Sequence, residues 1–271
     1  MDNSFKIALC QMSVEDNKEK NIKRAVDMIE KSANNGARLV ILPEMFNCPY
    51  DNSKFGVYAE TAGSGATIEA VSKAAKDNGA YVVAGSIPET EDNKIYNTCF
   101  IFDDNGKIIG RHRKIHLFDI DIPEKIVFRE SEVLTPGSEI TVVDTSFCRI
   151  GIAICYDVRF PEIFRKMALM GAEFVIVPAA FNMTTGPAHW ELLIRTRAVD
   201  NQVFMAAVSP ARNERASYIA YGNSMAVDSW GEILARAEEK EDILFCDIDL
   251  SKVEKVRREL PVLQHRRTDI Y

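Results

Sequence analysis

The 271-residue sequence has no long apolar run, no excess of basic charge, no closely spaced cysteine pair and no low-complexity tract. Each absence excludes a class of protein. The longest apolar stretches, such as Ile150 to Cys155 and Phe174 to Phe181, fall far short of the roughly 20 residues that span a bilayer, so no membrane crossing is expected. Lysine and arginine number 33 against 40 acidic residues, a formal net charge of -7. Such a chain lacks the basic field that neutralises nucleic-acid phosphates. The six cysteines, at 10, 48, 99, 148, 155 and 246, form no CxxC pair. That argues against a zinc ribbon, a thioredoxin motif or a disulfide scaffold, and most of them are expected to be reduced and buried. Met1-Asp2-Asn3-Ser4 leads into a strand-like segment with neither a basic start nor an apolar signal core, and the expected location is the cytoplasm. Gly63-Ser64-Gly65 lacks the third glycine and the lysine of a phosphate-binding loop and reads as a plain turn. No Gly-x-Ser-x-Gly occurs, which removes the usual serine hydrolase elbow.

What is present is an ordinary globular composition, 46% hydrophobic and 27% charged, with ample material for a core. No linker or charge block divides the chain, so residues 1–271 are read as one domain. A weak internal repeat runs through it. Lys6-Ile7-Ala8-Leu9-Cys10 returns as Gly151-Ile152-Ala153-Ile154-Cys155, and Gly36-Ala37-Arg38-Leu39-Val40-Ile41-Leu42-Pro43 returns as Gly171-Ala172-Glu173-Phe174-Val175-Ile176-Val177-Pro178. The turns around Gly106 and Gly231 sit at matching places between β-rich runs. Each half therefore reads strand, helix, strand, helix, strand, hairpin. Asp16 and Glu19 resemble a capping box, Ile22, Ala25, Val26, Ile29 and Ala33 share one helical face, and Gly36 ends the run. Tyr81 to Ile87 and Gln202 to Val208 are apolar at nearly every position, as strands buried on both faces are. Two facing sheets with helices outside would bury all of this. The expected fold is α/β, a four-layer αββα sandwich with an internal pseudo-twofold repeat.

Candidate chemistry gathers at the ends of these strands. Cys155 closes a strand-like run and precedes Pro161, which suits the first turn of a helix. A cysteine near a helix N-terminus is expected to favour the thiolate. Cys10 holds the matching place in the first half, and buried cysteines are most often packing residues. Glu44 follows Pro43, whereas the repeat has Ala179 at its counterpart. If corresponding strand ends converge at one rim, Glu44 and Cys155 meet there, and Lys114, just beyond the first hairpin, reaches the same rim. For Glu44 and Lys114 taken alone, solvated surface charges are the simpler reading. His112 and His116 have the spacing of metal ligands on a helix, but Arg113-Lys114-Ile115 between them supplies two cations and no base. Two polar residues on a strand or loop are preferred to a zinc site.

Three segments, Pro43-Glu44, His112-Arg113-Lys114-Ile115-His116 and Gly151-Ile152-Ala153-Ile154-Cys155-Tyr156-Asp157-Val158-Arg159-Phe160-Pro161-Glu162, resemble the catalytic motifs of the nitrilase superfamily of carbon-nitrogen hydrolases. The resemblance implies a Glu, Lys, Cys triad at Glu44, Lys114 and Cys155, with a second glutamate at Glu130. It also implies the αββα fold, commonly paired as a homodimer through one face. Lys114 to Asp121, Ala180 to Glu191, Arg197 to Gln202 and Ser209 to Arg212 are similar to the omega-amidase branch. Omega-amidases hydrolyse the terminal amide of 2-oxoglutaramate or 2-oxosuccinamate. Deaminated glutathione amidases share much of Gly186 to Glu191. N-carbamoyl amino-acid hydrolases also resemble the chain but often have paired arginines where Val158-Arg159 stands.

By this resemblance Glu44 is the general base, Cys155 carries a thioester, and Lys114 with the backbone N–H of Tyr156 stabilises the oxyanion. Glu130 positions Lys114 or the reacting amide. Arg159 is expected to hold a substrate carboxylate, the alternative being a structural salt bridge with Glu162. Phe181 and Thr185 would help hold that carboxylate, and Tyr50 would close the pocket. Trp190 to Ala198 has helical spacing and is expected to pack or to form the dimer face. No metal or organic cofactor is called for, and the partner is a small 2-oxo acid amide. A chelator-sensitive metallohydrolase and a non-catalytic small-molecule binding module are the readings from other classes.

Overall fold

Along the strand Ser4–Gln11, Ile7 and Leu9 point one way, Ala8 and Cys10 the other, and all four are fully buried. Such a strand needs cover on both faces. The computed structural model, which describes residues 4–61 and 63–270, supplies it with two stacked sheets and outer helices. In chain order the elements are β1 (Ser4–Gln11), α1 (Lys18–Asn34), β2 (Leu39–Ile41), α2 (Asn52–Tyr58), β3 (Glu60–Thr61), α3 (Ala66–Asn78), β4 (Tyr81–Glu91), β5 (Lys94–Phe102), β6 (Ile108–Arg113), β7 (Asp119–Ile122) and β8 (Ile126–Arg129). There follow β9 (Thr141–Asp144), β10 (Arg149–Ile152), α4 (Pro161–Leu169), β11 (Phe174–Pro178), α5 (Gly186–Asn201), β12 (Phe204–Val208), β13 (Met225–Val227), β14 (Ile233–Arg236), β15 (Asp242–Asp249) and α6 (Ser251–Glu259). Short 3-10 turns occupy Glu130–Glu132 and Cys155–Arg159.

One sheet has the order β15-β1-β2-β4-β5-β6 with β3 appended to β4, and the other has β14-β13-β12-β11-β10-β9. Ile7, Leu9, Leu39, Ile41, Val83 and Ile101 of the first meet Ile150, Ile152 and Ile176 of the second in one core. On the outer face of the first sheet, Ala8, Cys10, Val40, Val82 and Phe100 pack under Ala25 and Ile29 of α1 and Val71 and Ala75 of α3. The chain is thus the expected αββα sandwich, and the parallel strands and covering helices of its halves correspond, with α2 and β3 added in the first half. Strands β1, β2 and β4 run parallel and continue into the β5-β6 hairpin, as β10, β11 and β12 run parallel and continue into β13-β14.

The repeat did not reveal an exchange at the edges. After the first half, the chain gives β9 to the second sheet, antiparallel to β10. After the second half it returns β15 to the first sheet, antiparallel to β1 from Ser4↔Asp249 to Gln11↔Asp242. Two local expectations also change. The cap of α1 is Asn17, whose side chain accepts from Lys20 N, while Asp16 instead bonds Lys54 and Tyr58. Gln202 is a left-handed cap ending α5 rather than part of a strand, so β12 begins at Phe204.

Because β15 closes the core from the far end of the chain, Ile248→Ala on its buried face should lower stability by about 2–4 kcal/mol in urea unfolding. Phe245→Ala on its more exposed face should lose clearly less.

Candidate active site

The parallel strands of both sheets deliver their carboxyl ends to one rim, the usual place for ligands in α/β sheets. Glu44 lies just past β2, where Met45 takes a left-handed φ of 52°. A bulge in β4 receives this turn: Met45 N donates to Ser86 Oγ (3.0 Å), Phe46 N to Ser86 O (3.1 Å) and Ser86 N to Pro43 O (3.3 Å). Gly85 is required there, since a Cβ would collide with the Pro43 carbonyl. Lys114 continues β6 and is pinned at both backbone groups, its N–H to Asn97 O (2.9 Å) and its carbonyl by Gly137 N (2.8 Å).

Lys114 is 1% exposed, and Glu44 and Glu130 are fully buried. The Lys114 ammonium lies 2.9 Å from Glu44 Oε1 and 2.9 Å from both oxygens of Glu130. Burial alone would push the ammonium toward its neutral form, but the two carboxylates outweigh it and hold Lys114 protonated well above its ordinary range. Glu130 also accepts from Phe118 N at 2.7 Å and from the Tyr50 hydroxyl at 2.6 Å. Tyr50 therefore sits deeper than a pocket lid: its oxygen is 3.3 Å from Lys114 Nζ and 3.5 Å from Glu44 Oε1. Asn97 Nδ2 donates to the same Glu44 oxygen at 2.8 Å. All these donors crowd Oε1, and Oε2 of Glu44 is left buried without a conventional partner.

The Cys155 thiol lies close enough to Glu44 that thiol and carboxyl shift one another's ionisation. Burial raises the Glu44 carboxyl, with partial relief from Lys114. Cys155 opens its 3-10 turn at a left-handed φ of 45° and is 4% exposed, a strained backbone of the kind found at reactive sites. The expected thiolate is not what the turn produces. Burial, and then the negative charge of Glu44, push the thiol well above its ordinary pKa, and Lys114 and the Ala180 N–H offset this only in part. The resting pair is a protonated thiol beside a proton acceptor. Cys10 has no such company; burial raises it to about 12 and its sulfur meets only the Ser32 hydroxyl.

Arg159, half-buried, makes no salt bridge with Glu162, the structural alternative, and no carboxylate among the described residues lies within ion-pair distance of it. Its guanidinium donates to His189 Nδ1 at 3.3 Å and lies 5.1 Å from the centre of the Phe181 ring and 5.7 Å from that of Tyr156. Phe181 is thus beside Arg159 as expected. Thr185 departs from its expected role: its hydroxyl and N–H both go to Asn182 Oδ1 in the turn that leads into α5. Sequence reasoning missed Tyr218, which stacks on Tyr50 with ring centres 4.6 Å apart and donates to Ala180 O at 2.6 Å. It belongs to the irregular stretch between β12 and β13, where no periodicity or motif points to it. His112 and His116 do not form a metal cluster, none being found among the described residues; both face Asp157.

A site of this kind can move a proton from sulfur to carboxylate while a fixed cation faces any charge that develops on a bound carbonyl. The family profile described as carbon-nitrogen hydrolase matches residues 6–258. The omega-amidase NIT2 of Homo sapiens is 47% identical over 99% of this chain and 97% of its own length. Nitrilase homolog 2 of Dictyostelium discoideum is 54% identical over 98% of this chain and 82% of its own. Among solved structures, Saccharomyces cerevisiae Nit3, a member of branch 10 of the nitrilase superfamily, superposes with a TM-score of 0.90 at 40% identity and 97% coverage of both chains. An amidase from Nesterenkonia sp. AN1, with the acetamide moiety of fluoroacetamide added covalently at its active-site cysteine, gives a TM-score of 0.82 at 25% identity, covering 98% of this chain and 95% of its own.

The buried ion cluster predicts its own failure. Lys114→Met leaves two carboxylates without their cation and should lower stability by about 3–5 kcal/mol at neutral pH. Glu44, already raised in the folded state, would rise further, so the folded variant holds a proton that the unfolded chain releases above its ordinary value of 4.5. Urea unfolding should therefore find the deficit smallest below about pH 4.5 and growing as pH rises.

Proposed function

The chain belongs to the carbon-nitrogen hydrolase family of the nitrilase superfamily, and from that premise we propose that it is an omega-amidase, hydrolysing the terminal amide of 2-oxoglutaramate or 2-oxosuccinamate to the 2-oxo dicarboxylate and ammonia. The observation that carries this reading is the pairing of a buried Glu44, Lys114 and Cys155 with an arginine, Arg159, that has no carboxylate of its own within ion-pair distance among the described residues. A small linear amide with a carboxylate at its other end satisfies both.

In the proposed reaction Glu44 takes the thiol proton as Cys155 attacks the amide carbon, so the raised thiol pKa is overcome only as the S–C bond forms. The tetrahedral oxyanion is met by the Lys114 ammonium and by the Tyr156 N–H. The latter lies in the first turn of a 3-10 helix, where donors lack intrahelical partners. Each such donor is typically worth ~3 kcal/mol in a dry site. Glu44 then gives its proton to the departing nitrogen, which leaves as ammonia. Water, deprotonated by Glu44, releases the acid and restores the thiol. Glu130 holds the ammonium in place throughout, with the Tyr50 hydroxyl bonded to the same Oε1.

The same proposal takes residues 1–271 as a single domain in the cytoplasm, where the six free, buried cysteines stay reduced. It pairs two copies through the outer face of α5, where Leu192 (65% exposed), Val199 (45%) and the nearby Trp230 (59%) stand in solvent.

Cys155→Ala should fold yet turn over no amide, and mass spectrometry of wild-type enzyme quenched during turnover should find the acyl adduct on Cys155. An adduct confined to Cys10 would refute the assignment. Arg159→Lys should raise KM for 2-oxoglutaramate by a factor within the ~1.5–3 kcal/mol of a charge-assisted hydrogen bond, while leaving unchanged the KM of an equally long amide with a neutral group in place of the carboxylate. Equal weakening of both would make Arg159 structural and move the carboxylate anchor elsewhere.

A further inference from the structure

The proposed reaction leaves a buried carboxylate unused. Asp157, two residues past Cys155, is fully buried, and neither of its oxygens faces the thiol's chemistry. Oδ2 accepts from Ile154 N at 2.9 Å, so the side chain folds back over the turn that presents Cys155 and Tyr156. Oδ2 also lies 3.4 Å from His112 Nε2, and Oδ1 accepts from His116 N at 2.9 Å and His116 Nδ1 at 2.8 Å. A carboxylate only accepts, so both ring nitrogens that face it carry hydrogen. His112 and His116 flank Lys114 at two residues on either side. The His116 ring also stacks on Phe160, at the end of the nucleophile turn, with centres 3.6 Å apart and planes 8° from parallel. On its other side His112 is anchored to β9 through Thr141 Oγ1 at 3.0 Å.

We infer that Asp157 is the positioning residue of the oxyanion site, fixing how far the Lys114 ammonium stands from the Tyr156 N–H by tying the strand end that carries the lysine to the turn that carries the cysteine. The inference rests on the reading above that these two groups are the oxyanion donors. The choice of residue follows from the count of donors. Four converge on Asp157, and an ionised carboxylate offers acceptor sites to all of them without a hydrogen of its own. An amide would turn an NH2 group toward one pair of donors and sever either the Ile154 and His112 side or the His116 side. Burial would raise the Asp157 carboxyl, but the histidine hydrogen bonds outweigh it and hold the group far below the ordinary carboxylate range, so the clamp stays ionised. Strain in the Cys155 backbone makes the tie necessary, because a left-handed φ at a non-glycine residue persists only where its surroundings enforce it.

The test compares the amide substrate with its aldehyde counterpart, in which CHO replaces CONH2. The Cys155 sulfur adds to the aldehyde carbon, the thiol proton passes to the oxygen, and the resulting hemithioacetal has the tetrahedral geometry without a leaving group. Asp157→Asn should lower kcat by about 10²-fold and weaken aldehyde inhibition by a similar factor, with KM moving less than about threefold. His116→Ala should shift the same two quantities, and His116→Asn, whose amide N–H can stand in for Nδ1–H, should restore most of both. If Asp157→Asn does not fold, the His116 pair decides alone. A kcat within about threefold of wild type, or a KM that rises in step with the loss of aldehyde affinity, overturns the positioning role. Wild-type enzyme that forms no hemithioacetal at Cys155 overturns the thioester reading and this inference with it, whereas wild-type capture unaltered in every variant overturns the inference alone.

Discussion

Stripping the Lys114 ammonium of water is tolerable only because two carboxylates meet it, and those carboxylates are tolerable only because of the ammonium. The site's other features follow from holding this arrangement still. Glu44 needs the β4 bulge and Gly85 to approach closely, Glu130 needs the Phe118 N–H and the Tyr50 hydroxyl, and Lys114 needs both of its backbone groups pinned. Burial first, and then the Glu44 charge that Lys114 only partly offsets, keep the Cys155 thiol protonated at rest. Reactivity is thereby coupled to substrate: the proton leaves sulfur when a carbonyl is there to receive the electron pair.

The sandwich that supports this cluster is two copies of one plan with different ends. At the β2 end a carboxylate stands where the β11 end has Ala179, and at the β10 end a cysteine beside that carboxylate replaces a cysteine sealed under α1. Symmetry brings equivalent strand ends to a common rim, and asymmetry of side chains there puts one buried glutamate and one cysteine with a left-handed backbone in the same site. Each sheet also borrows its outermost strand from the other half, so neither half completes its sheet without its counterpart.

What was legible in the sequence is what local pattern encodes. Apolar runs such as Tyr81 to Ile87 exposed the doubly covered strands, and the repeat exposed the layer plan, because periodicity and burial are nearest-neighbour properties. The motifs single out Glu44, Lys114 and Cys155 in the sequence, and the fold brings Glu44 and Lys114 within 2.9 Å of one another. Edge exchange was not, since β9 and β15 carry no mark of which sheet they join. The proposed lid Tyr50 turned out to lie between two glutamates, and Thr185 spends its hydroxyl on Asn182, because hydrogen-bond choice depends on neighbours brought from distant segments. The expected thiolate failed for a similar reason. A helix terminus is a local signal, whereas desolvation and the Glu44 charge come from the assembled fold. His112 and His116, which the sequence presents as plain polar residues on a strand or loop, take on a role once the fold sets Asp157 between them.

The returning strand β15 has a consequence for how the chain is made. Strand β1 leaves a ribosome well before its antiparallel neighbour, which runs from Asp242 to Asp249. Throughout synthesis the first sheet carries a row of unsatisfied backbone donors and acceptors along β1, an open template for any passing strand. A contact of such long sequence separation closes late and slowly. A chain stalled before residue 242 therefore keeps that edge of β1 open, where the finished chain has it covered by β15.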